Sequence, residues 1–381
     1  MPNKDKNIPK RRFKAFENAD AWELRKLGEV ADVCSGRDYK HLETGSIPVY
    51  GTGGYMLSVS EALSKNEDAI GIGRKGTIDS PYILRAPFWT VDTLFYCIPQ
   101  NDFTLEFAYS VFQNINWKSM DESTGVPSLS KNGINNVRVL TPKIQEQSAI
   151  GTFFSTLDSQ ITLHQRKLDK LKNVKQAYLS EMFPAEGERV PKRRFPGFTD
   201  DWELRKLGEV GAVAMCRRIF KEQTSEIGEI PFYKIGTFGG TPDAFISKEL
   251  FEEYRNKYPY PTKGDILISA SGSIGRTVEF LGKDEYFQDS NIVWLKHDGK
   301  IDNIFLKQFY SIVKWSGVEG STIKRLYNEN ILNTEIALPS LLEQKAIGIF
   351  FSTLDRQITL HQRKLEKLKN LKKALLNELF V

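Results

Sequence analysis

The sequence FFSTLDSQITLHQRKL occupies residues 153–168, and FFSTLDRQITLHQRKL recurs at residues 350–365. Within these sixteen positions the copies differ once, where Ser159 of the first copy answers Arg356 of the second. A duplicated segment of this length indicates that the chain carries two equivalent structural units.

The spacing of apolar residues predicts one long helix for each copy. The similarity extends over residues 146–183 and 343–380, and neither segment contains proline. Seam residues recur at alternating steps of three and four, the a/d pattern of a coiled coil. At ~1.5 Å per residue each helix should be about 55 Å long. The predicted seam consists of Phe154, Leu157, Ile161, His164, Leu168 and Leu171, and of Phe351, Leu354, Ile358, His361, Leu365 and Leu368.

The long non-helical segment between the copies favours an antiparallel pair of helices with a domain at each end. A simple helical hairpin that only holds a core is the alternative. Two polar seam residues, His164 and His361, are expected to fix the register of the helices, because isolated polar residues at seam positions commonly do so.

A second repeat precedes each helix. AWELRKLGEV (21–30) matches DWELRKLGEV (201–210), and PKRRFKAF (9–16) matches PKRRFPGF (191–198). The repeat distance is far too long for a solenoid, so it indicates a duplicated domain.

The bodies between these repeats, residues 31–141 and 211–338, differ over most of their length but share a faint plan. GSIPVYGTGG (45–54) answers GEIPFYKIGT (228–237), AIGIGRKGTI (69–78) answers ILISASGSIG (266–275), and TVDTLFY (90–96) answers FQDSNIV (287–293). Short runs rich in β-branched and aromatic residues lie between Gly, Pro, Ser and Asn. We predict one mixed α/β (α+β) fold used twice, joined by two long antiparallel coiled-coil helices with pseudo-two-fold symmetry.

Composition limits the class of protein. The 381 residues suffice for two domains, and a charged fraction of 27% argues against a membrane protein. The basic N-terminus has no apolar segment, so no signal peptide is expected. Three isolated cysteines predict neither a zinc cluster nor a disulfide framework, which fits a reducing cytoplasm. The net charge of +5 is compatible with binding to nucleic acid.

Common catalytic signatures are missing from the sequence. Gly71, Gly73 and Gly76 match the spacing of a dinucleotide-binding loop, but residues 77–81 read as a strand and turn where a helix should begin. There is no phosphate-binding GxxxxGK[ST] loop, no metal-binding histidine spacing, no GxSxG elbow and no Asn/Asp-Pro-Pro-aromatic tetrapeptide. We therefore predict no catalytic residue and no metal site.

Polar loop residues remain as candidates for recognition. Arg, Lys, Asn and Ser side chains on exposed loops bind phosphates and base edges. Solvated loops without function are the alternative for each residue taken alone. The candidates in the first half are Arg74, Lys75, Ser128, Lys131, Asn132 and Asn135, and those in the second half are Ser271, Ser273, Arg276, Lys324, Arg325 and Tyr327.

Five motifs together resemble the specificity (S) subunit of Type I restriction–modification systems over nearly the whole chain. They are Trp22-Glu23 with Leu27-Gly28-Glu29, Trp202-Glu203 with Leu207-Gly208-Glu209, Arg-Phe-Pro-Gly-Phe at 194–198, and the helix starts Pro142…Glu146-Gln147…Ile150 and Pro339…Glu343-Gln344…Ile347. The first arm departs from the pattern, since Lys14-Ala15 stands where the second arm has Pro196-Gly197.

The resemblance implies a domain order. It consists of an N-terminal arm (1–20), a first target-recognition domain (21–142), a first repeat helix (143–183), a linker (184–200), a second target-recognition domain (201–339) and a second repeat helix (340–381).

The resemblance also implies a role. Each domain would read one half of a bipartite double-stranded DNA target, and the helices would set the spacer and dock two copies of a modification subunit. These partners would use S-adenosylmethionine to methylate adenine at N6. Restriction subunits would add ATP- and Mg²⁺-dependent translocation and cleavage, while this chain would hold no cofactor of its own. A stand-alone nucleic-acid-modifying enzyme with an unfamiliar site and a coiled-coil scaffold without DNA function remain alternatives.

Overall fold

The computed structural model describes residues 7–121, 123–315 and 324–380. The chain divides into two compact units, which we call the first unit (Met1–Arg166 with Gln362–Val381) and the second unit (Lys167–His361). Each unit therefore combines one body with the start of one repeat helix and the end of the other.

The first half of the chain runs from the arm to the end of the first repeat helix. Its elements are β1 (Glu23–Lys26), α1 (Leu27–Val30), β2 (Ala31–Ser35), β3 (Thr44–Gly51), β4 (Gly54–Val59), β5 (Ala69–Gly73), β6 (Tyr82–Leu84), β7 (Trp89–Thr90), β8 (Leu94–Pro99), α2 (Leu105–Asn114), α3 (Lys131–Asn136), β9 (Arg138–Thr141) and α4 (Ile144–Met182).

The second half repeats this order with one additional helix, α6, between strands. Its elements are β10 (Glu203–Lys206), α5 (Leu207–Val210), β11 (Gly211–Met215), β12 (Ile230–Tyr233), β13 (Phe245–Ile246), α6 (Lys248–Lys257), β14 (Ile266–Ser269), β15 (Thr277–Glu279), β16 (Tyr286–Phe287), β17 (Ile292–His297), α7 (Asn303–Ile312), α8 (Asn328–Asn333), β18 (Glu335–Leu338) and α9 (Leu341–Leu379).

The sheet topology is the same in both units. A four-stranded antiparallel sheet has the order β2-β8-β5-β6 in the first unit and β11-β17-β14-β15 in the second. A three-stranded sheet contains a parallel pair in each unit, β3 with β7 and β12 with β16. The predicted duplicated α/β fold is therefore confirmed.

Two parts of the sequence alignment between the bodies are wrong by a single residue, namely the match of residues 69–78 and the end of the match of residues 90–96, where Leu94 answers Ile292 and not Asn291. Leu94 is the register partner of Gly73, and Ile292 is that of Ser269, so Gly73 corresponds to Ser269. Residues 69–78 thus answer 265–274 and not 266–275. Both segments are short and rich in Gly, Ser and Ile, and strand pairing was needed to fix their register.

The two repeat helices end in the cores of the units. In the first unit the Phe380 ring lies 6.1 Å from Trp22, 5.8 Å from Phe107 and 6.2 Å from Phe154, measured between ring centroids. All four rings are buried. The end of α9 is thus packed against the body that begins the chain.

The second unit repeats this cluster. The Phe183 ring lies 6.1 Å from Trp202, 5.2 Å from Phe305 and 6.2 Å from Phe351. Because Phe183 directly follows α4, the helix of the first half, each body is completed by a helix end from the other half of the sequence.

Within each unit the segments of α4 and α9 run antiparallel. Lys372 Nζ lies 2.5 Å from Asp158 Oδ1 in the first unit, and Lys175 Nζ lies 2.6 Å from Asp355 Oδ1 in the second. Six of the twelve predicted seam residues are buried, namely Phe154, Leu157, His164, Leu168, Phe351 and Leu365, and the other six are half-buried.

Each arm binds the start of one helix and the end of the other. In the first unit Arg12 donates two hydrogen bonds to the Glu146 carboxylate, at 2.7 and 2.6 Å, while Arg11 pairs with Glu378. The second unit contains the same contacts as Arg194 with Glu343 and Arg193 with Glu181. The Arg12–Glu146 and Arg194–Glu343 pairs are largely shielded from solvent.

Candidate nucleic-acid interface

Four loops meet at one edge of the main sheet in the first unit. The ends of β2 and β5 and the start of β8 lie side by side, because Ser35 pairs with Phe95 and Gly73 with Leu94. We call the loops at this position the four-loop edge. In the first unit it comprises residues 36–37, 74–76, 91–93 and 127–130.

Backbone hydrogen bonds hold these loops together. Arg37 N donates to Thr90 O at 2.9 Å, and Arg74 N donates to Thr93 O at 2.8 Å. Gly76 N donates to Pro127 O, and Leu129 N donates to Arg74 O, both at 2.9 Å. The edge is thus pre-formed, so little backbone ordering would be needed when it binds a ligand.

The predicted side chains of the first edge differ in exposure. Arg74 and Lys75 are exposed, and Arg74 is held by a 3.4 Å hydrogen bond to Asp92 O and by the Phe95 ring, 5.9 Å from its guanidinium. Ser128 is half-buried and pairs with Lys75 in an isolated β-bridge.

An acidic residue that the sequence reasoning missed supports the Ser128 loop. The Asp121 carboxylate accepts hydrogen bonds from Ser128 N at 2.9 Å and from Ser123 N at 3.0 Å. These bonds lower the pKa of Asp121, so it remains ionised at neutral pH. An Asp seven residues before a loop serine gives no distinctive sequence signal.

The second unit has a four-loop edge in the same position, formed by residues 216–218, 270–276, 289–291 and 324–327. Ala270 N donates to Asn291 O at 2.7 Å, and Leu326 N donates to Ala270 O at 2.8 Å. Ser271 forms an isolated β-bridge with Arg325, which is equivalent to the bridge between Lys75 and Ser128 in the first unit. The predicted loops therefore come together in both units on the same backbone frame.

Both halves of the chain match one family model. The Type I restriction modification DNA specificity domain aligns with residues 19–173 and again with residues 199–370. The chain belongs to this family.

Curated relatives carry related names. A putative type I restriction enzyme specificity subunit of Haemophilus influenzae is 58% identical over 158 residues, covering 40% of this chain and 41% of the relative. The specificity subunit of the type I restriction enzyme MjaVIII of Methanocaldococcus jannaschii is 24% identical over 277 residues, covering 68% of this chain and 65% of the relative. The matches thus span less than two thirds of the length of these relatives.

A solved structure shows the same fold. The S subunit of a Type I restriction–modification system from M. genitalium superposes with a TM-score of 0.71 at 15% identity, covering 98% of this chain and 99% of that one. At this identity the similarity speaks for the fold alone.

Within the specificity-domain fold, the other predicted residues of the first unit lie on α3. Lys131 and Asn132 are exposed on its first turn, after Ser130, whose hydroxyl accepts a hydrogen bond from Gly133 N at 3.0 Å. Asn135 instead packs against α1, where a Cβ atom on Gly28 would lie 3.0 Å from its Oδ1. Its role in binding stays a prediction, but its side chain already fills a structural position.

The predicted residues of the second edge also divide into exposed and internal groups. Ser271 is 7% exposed and donates to Asn291 Oδ1 at 2.7 Å, which makes it a support for the loop. Arg276 is exposed, although Nη1 donates to Phe238 O at 2.6 Å. Arg325 donates to Ser290 Oγ at 3.0 Å and lies over the exposed Tyr327 ring. Ser273 and Lys324 are exposed.

The second edge continues into a cleft of about 460 Å³ that sequence reasoning did not identify. Arg217, Arg218, Phe220 and Tyr258 are among its lining residues. Arg218 pairs with Asp289 at 2.8 Å, while the Arg217 guanidinium lies 5.2 Å from the centre of the Tyr258 ring. Two consecutive arginines shortly after a strand were the available signal in the sequence. Exposed cations beside aromatic rings are suited to nucleic acid.

Two further features concern the described residues as a whole. No group of three or more His, Cys, Asp or Glu side chains in residues 7–121, 123–315 and 324–380 could hold a metal ion. None of the helices in these ranges combines the length and apolar character needed to cross a membrane.

Proposed function

We propose that this chain is the DNA-specificity subunit of a Type I restriction–modification complex, with each unit reading one half of a bipartite target. The main observation that supports this proposal is that both halves match the specificity-domain family and that each has its own four-loop edge. The backbone of the edge is shared between the units, while its side chains differ, as two readers of different base sequences require.

The chemistry of the edges suits duplex DNA. Exposed guanidinium and ammonium groups such as Arg74, Lys75 and Arg276 can contact phosphates, which supply affinity, or guanine edges, which supply specificity. Because backbone bonds hold the loops, these side chains would meet the DNA in defined positions.

The repeat helices suit two copies of one partner. Exposed apolar residues recur at equivalent positions, Ile144 with Leu341 and Leu163 with Leu360. Equivalent surfaces on α4 and α9 would dock two modification subunits, which would bring S-adenosylmethionine and methylate adenine. Restriction subunits would bring ATP- and Mg²⁺-dependent cleavage. The chain itself would be non-catalytic and would act in the cytoplasm, where its DNA target lies.

Exchange of one body tests the division of labour. Residues 22–141 would be replaced by the corresponding body of another specificity subunit, and methylated adenines would be mapped in cells that carry the matching modification subunit. We expect one half of the methylated sequence to change and the other half to persist. A change in both halves, or in neither, would contradict the proposal.

A turnover assay tests the absence of catalysis. The purified chain would be incubated with duplex DNA, Mg²⁺ and S-adenosylmethionine, with and without the modification subunit. We expect methylation when the partner is added and none without it. Methylation or cleavage by the chain alone would support a stand-alone enzyme instead.

A further inference from the structure

Arg37 and Arg217 occupy the same position at the two four-loop edges. Each lies two residues after a strand end, since β2 ends at Ser35 and β11 at Met215. The two arginines also lie at the constant offset of 180 residues that relates AWELRKLGEV (21–30) to DWELRKLGEV (201–210). The strand ends and the sequence offset therefore agree that the two arginines are equivalent.

A ring donor fixes the backbone of each arginine. Trp89 Nε1 donates to Arg37 O at 2.9 Å, and the Tyr286 hydroxyl donates to Arg217 O at 3.1 Å. Trp89 and Tyr286 are themselves equivalent, because each is the first residue of a short strand that pairs in parallel with β3 or β12. Both rings are buried, at 5% and 0% exposure. Two different side chains thus perform the same anchoring task.

Both arginine side chains remain open to solvent. Neither guanidinium forms an ion pair with an acidic side chain of the described residues, whereas neighbouring Arg218 is neutralised by Asp289. Arg217 instead lies over the Tyr258 ring. The fold therefore positions the backbone of each arginine firmly and leaves its charge available to a ligand.

The surrounding edge positions differ between the units. By strand register, Arg74 answers Ala270, Lys75 answers Ser271 and Ser128 answers Arg325. Two units that read different base sequences would both meet the phosphate backbone, which is the same in every DNA duplex. A cation kept at the same position on otherwise different edges is suited to that shared feature, since phosphate contacts carry position and no sequence information.

We propose that Arg37 and Arg217 are a matched pair of phosphate-binding arginines, one in each unit, that seat each four-loop edge on the DNA backbone. This inference rests on the proposed DNA-binding function. Edge residues that differ between the units would then read the bases. The two arginines would supply the part of the affinity that is the same for every DNA sequence.

The test uses the full-length chain, a fixed duplex of unrelated sequence and a pool of random duplexes. Dissociation constants would be measured between about 50 and 200 mM salt for Arg37→Ala, Arg217→Ala and the double variant. Each single substitution should weaken binding to every duplex by a similar factor and reduce the slope of log K against log salt by about 0.9, and the double variant by about twice that. The sequences enriched from the random pool should not change.

Matched controls come from the same chain. Arg25 and Arg205 are exposed, equivalent arginines on β1 and β10, outside the four-loop edges, and each pairs with a neighbouring glutamate. Arg25→Ala and Arg205→Ala should leave affinity and salt slope unchanged. Arg37→Lys should preserve the slope, because it keeps the charge.

The outcomes separate the two proposals. Wild-type affinity and slope in Arg37→Ala and Arg217→Ala would overturn the phosphate assignment, and so would a change in the enriched sequences. A wild-type chain that binds no duplex in a salt-dependent manner, even with its modification subunit, would overturn the proposed function itself.

Discussion

The two units agree closely around their helix segments and differ at their four-loop edges. Around the helices, Trp22 answers Trp202, Arg12 answers Arg194, and the Asp158–Lys372 pair answers Asp355–Lys175. At the edges, Lys75 and Ser128 are replaced by Ser271 and Arg325. The helix contacts are thus common to both units, whereas the edge is a fixed backbone frame that tolerates different side chains.

The largest expected effect tests whether each body needs the helix end of the other half. Phe380→Ala removes a buried ring from the first unit, and Phe183→Ala removes its equivalent from the second. Each substitution should lower the free energy of unfolding of its own unit by about 3–5 kcal/mol, because a large cavity is left. Hydrogen exchange should accelerate in α2 for Phe380→Ala and in α7 for Phe183→Ala.

An exposed leucine on the same helix provides the control. Leu360 is 58% exposed, so Leu360→Ala should change stability by less than about 0.5 kcal/mol. Faster exchange confined to the helix end itself, with α2 unaffected, would show that Phe380 is not required by the first body.

The second effect compares the two arm ion pairs. Arg12→Met would leave the Glu146 carboxylate, whose side chain is 3% exposed, without its partner, at a cost of about 3 kcal/mol. Arg194→Met should cost about the same, since the Glu343 side chain that it leaves unpaired is 2% exposed against 3% for Glu146. Chemical denaturation of the full chain measures both.

A second substitution identifies the cause. Glu146→Gln in the Arg12→Met background should recover part of the loss, because the uncompensated charge is removed. Arg25→Met, which breaks the exposed pair with Glu23, should cost less than about 1 kcal/mol. Equal losses for Arg12→Met and Arg25→Met would contradict the importance of burial.

The third effect concerns the position of the four-loop edge that Ser128 occupies in the first unit and Arg325 occupies in the second. Arg325→Ala should weaken binding to the selected target by about 1–3 kcal/mol if its guanidinium reads a base, and it should relax preference in one half of the target. Ser128→Ala should have a smaller effect, because this side chain carries no charge. Selection from random duplexes by the full chain measures both. Relaxation in the half that responds to exchange of residues 22–141 would contradict the proposal that each unit reads its own half of the target.

The duplicated helices and domains could be predicted from the sequence because their signals are local. The seam follows a regular period, and Trp22 and Trp202 lie in nearly identical decapeptides. Nothing comparable marks the crossed packing of Phe183 and Phe380, since contacts between residues far apart in sequence depend on the whole fold.

The edge could be predicted only in part. Arg74, Lys75 and Arg325 were found because glycine-rich and polar loops are visible in sequence. Arg37 and Arg217 were missed because the two bodies diverge directly after the matched decapeptides, and the anchoring of the arginines by Trp89 and Tyr286 has no sequence signal. Ser271 looked like a contact residue, but its hydroxyl is used internally, which only the position of Asn291 reveals.

The smallest expected effect compares two glycines of the repeated Leu-Gly-Glu motif. A Cβ atom on Gly28 would lie 3.0 Å from Asn135 Oδ1, which can rotate away, and 3.1 Å from Asn135 Cβ, which moves only with the backbone of α3. On Gly208 it would lie 3.1 Å from Leu332 O, a backbone atom that cannot yield without moving α8. Alanine in a helical turn gains up to about 1 kcal/mol from reduced freedom of the unfolded chain. Because Gly28 meets one fixed atom closely and Gly208 meets two, Leu332 O and Leu332 Cβ, Gly28→Ala should be less destabilising than Gly208→Ala by up to about 1 kcal/mol.

Thermal unfolding of the two variants under identical conditions measures this difference. The comparison also bears on Asn135, one of the residues predicted to bind DNA. If Gly28→Ala is neutral for stability and for DNA affinity, the Asn135 side chain can move without consequence and is not a reader of bases. If Gly28→Ala leaves stability intact but weakens DNA binding, Asn135 must be held in place to contact the target, because its displacement is the change that the new methyl group imposes.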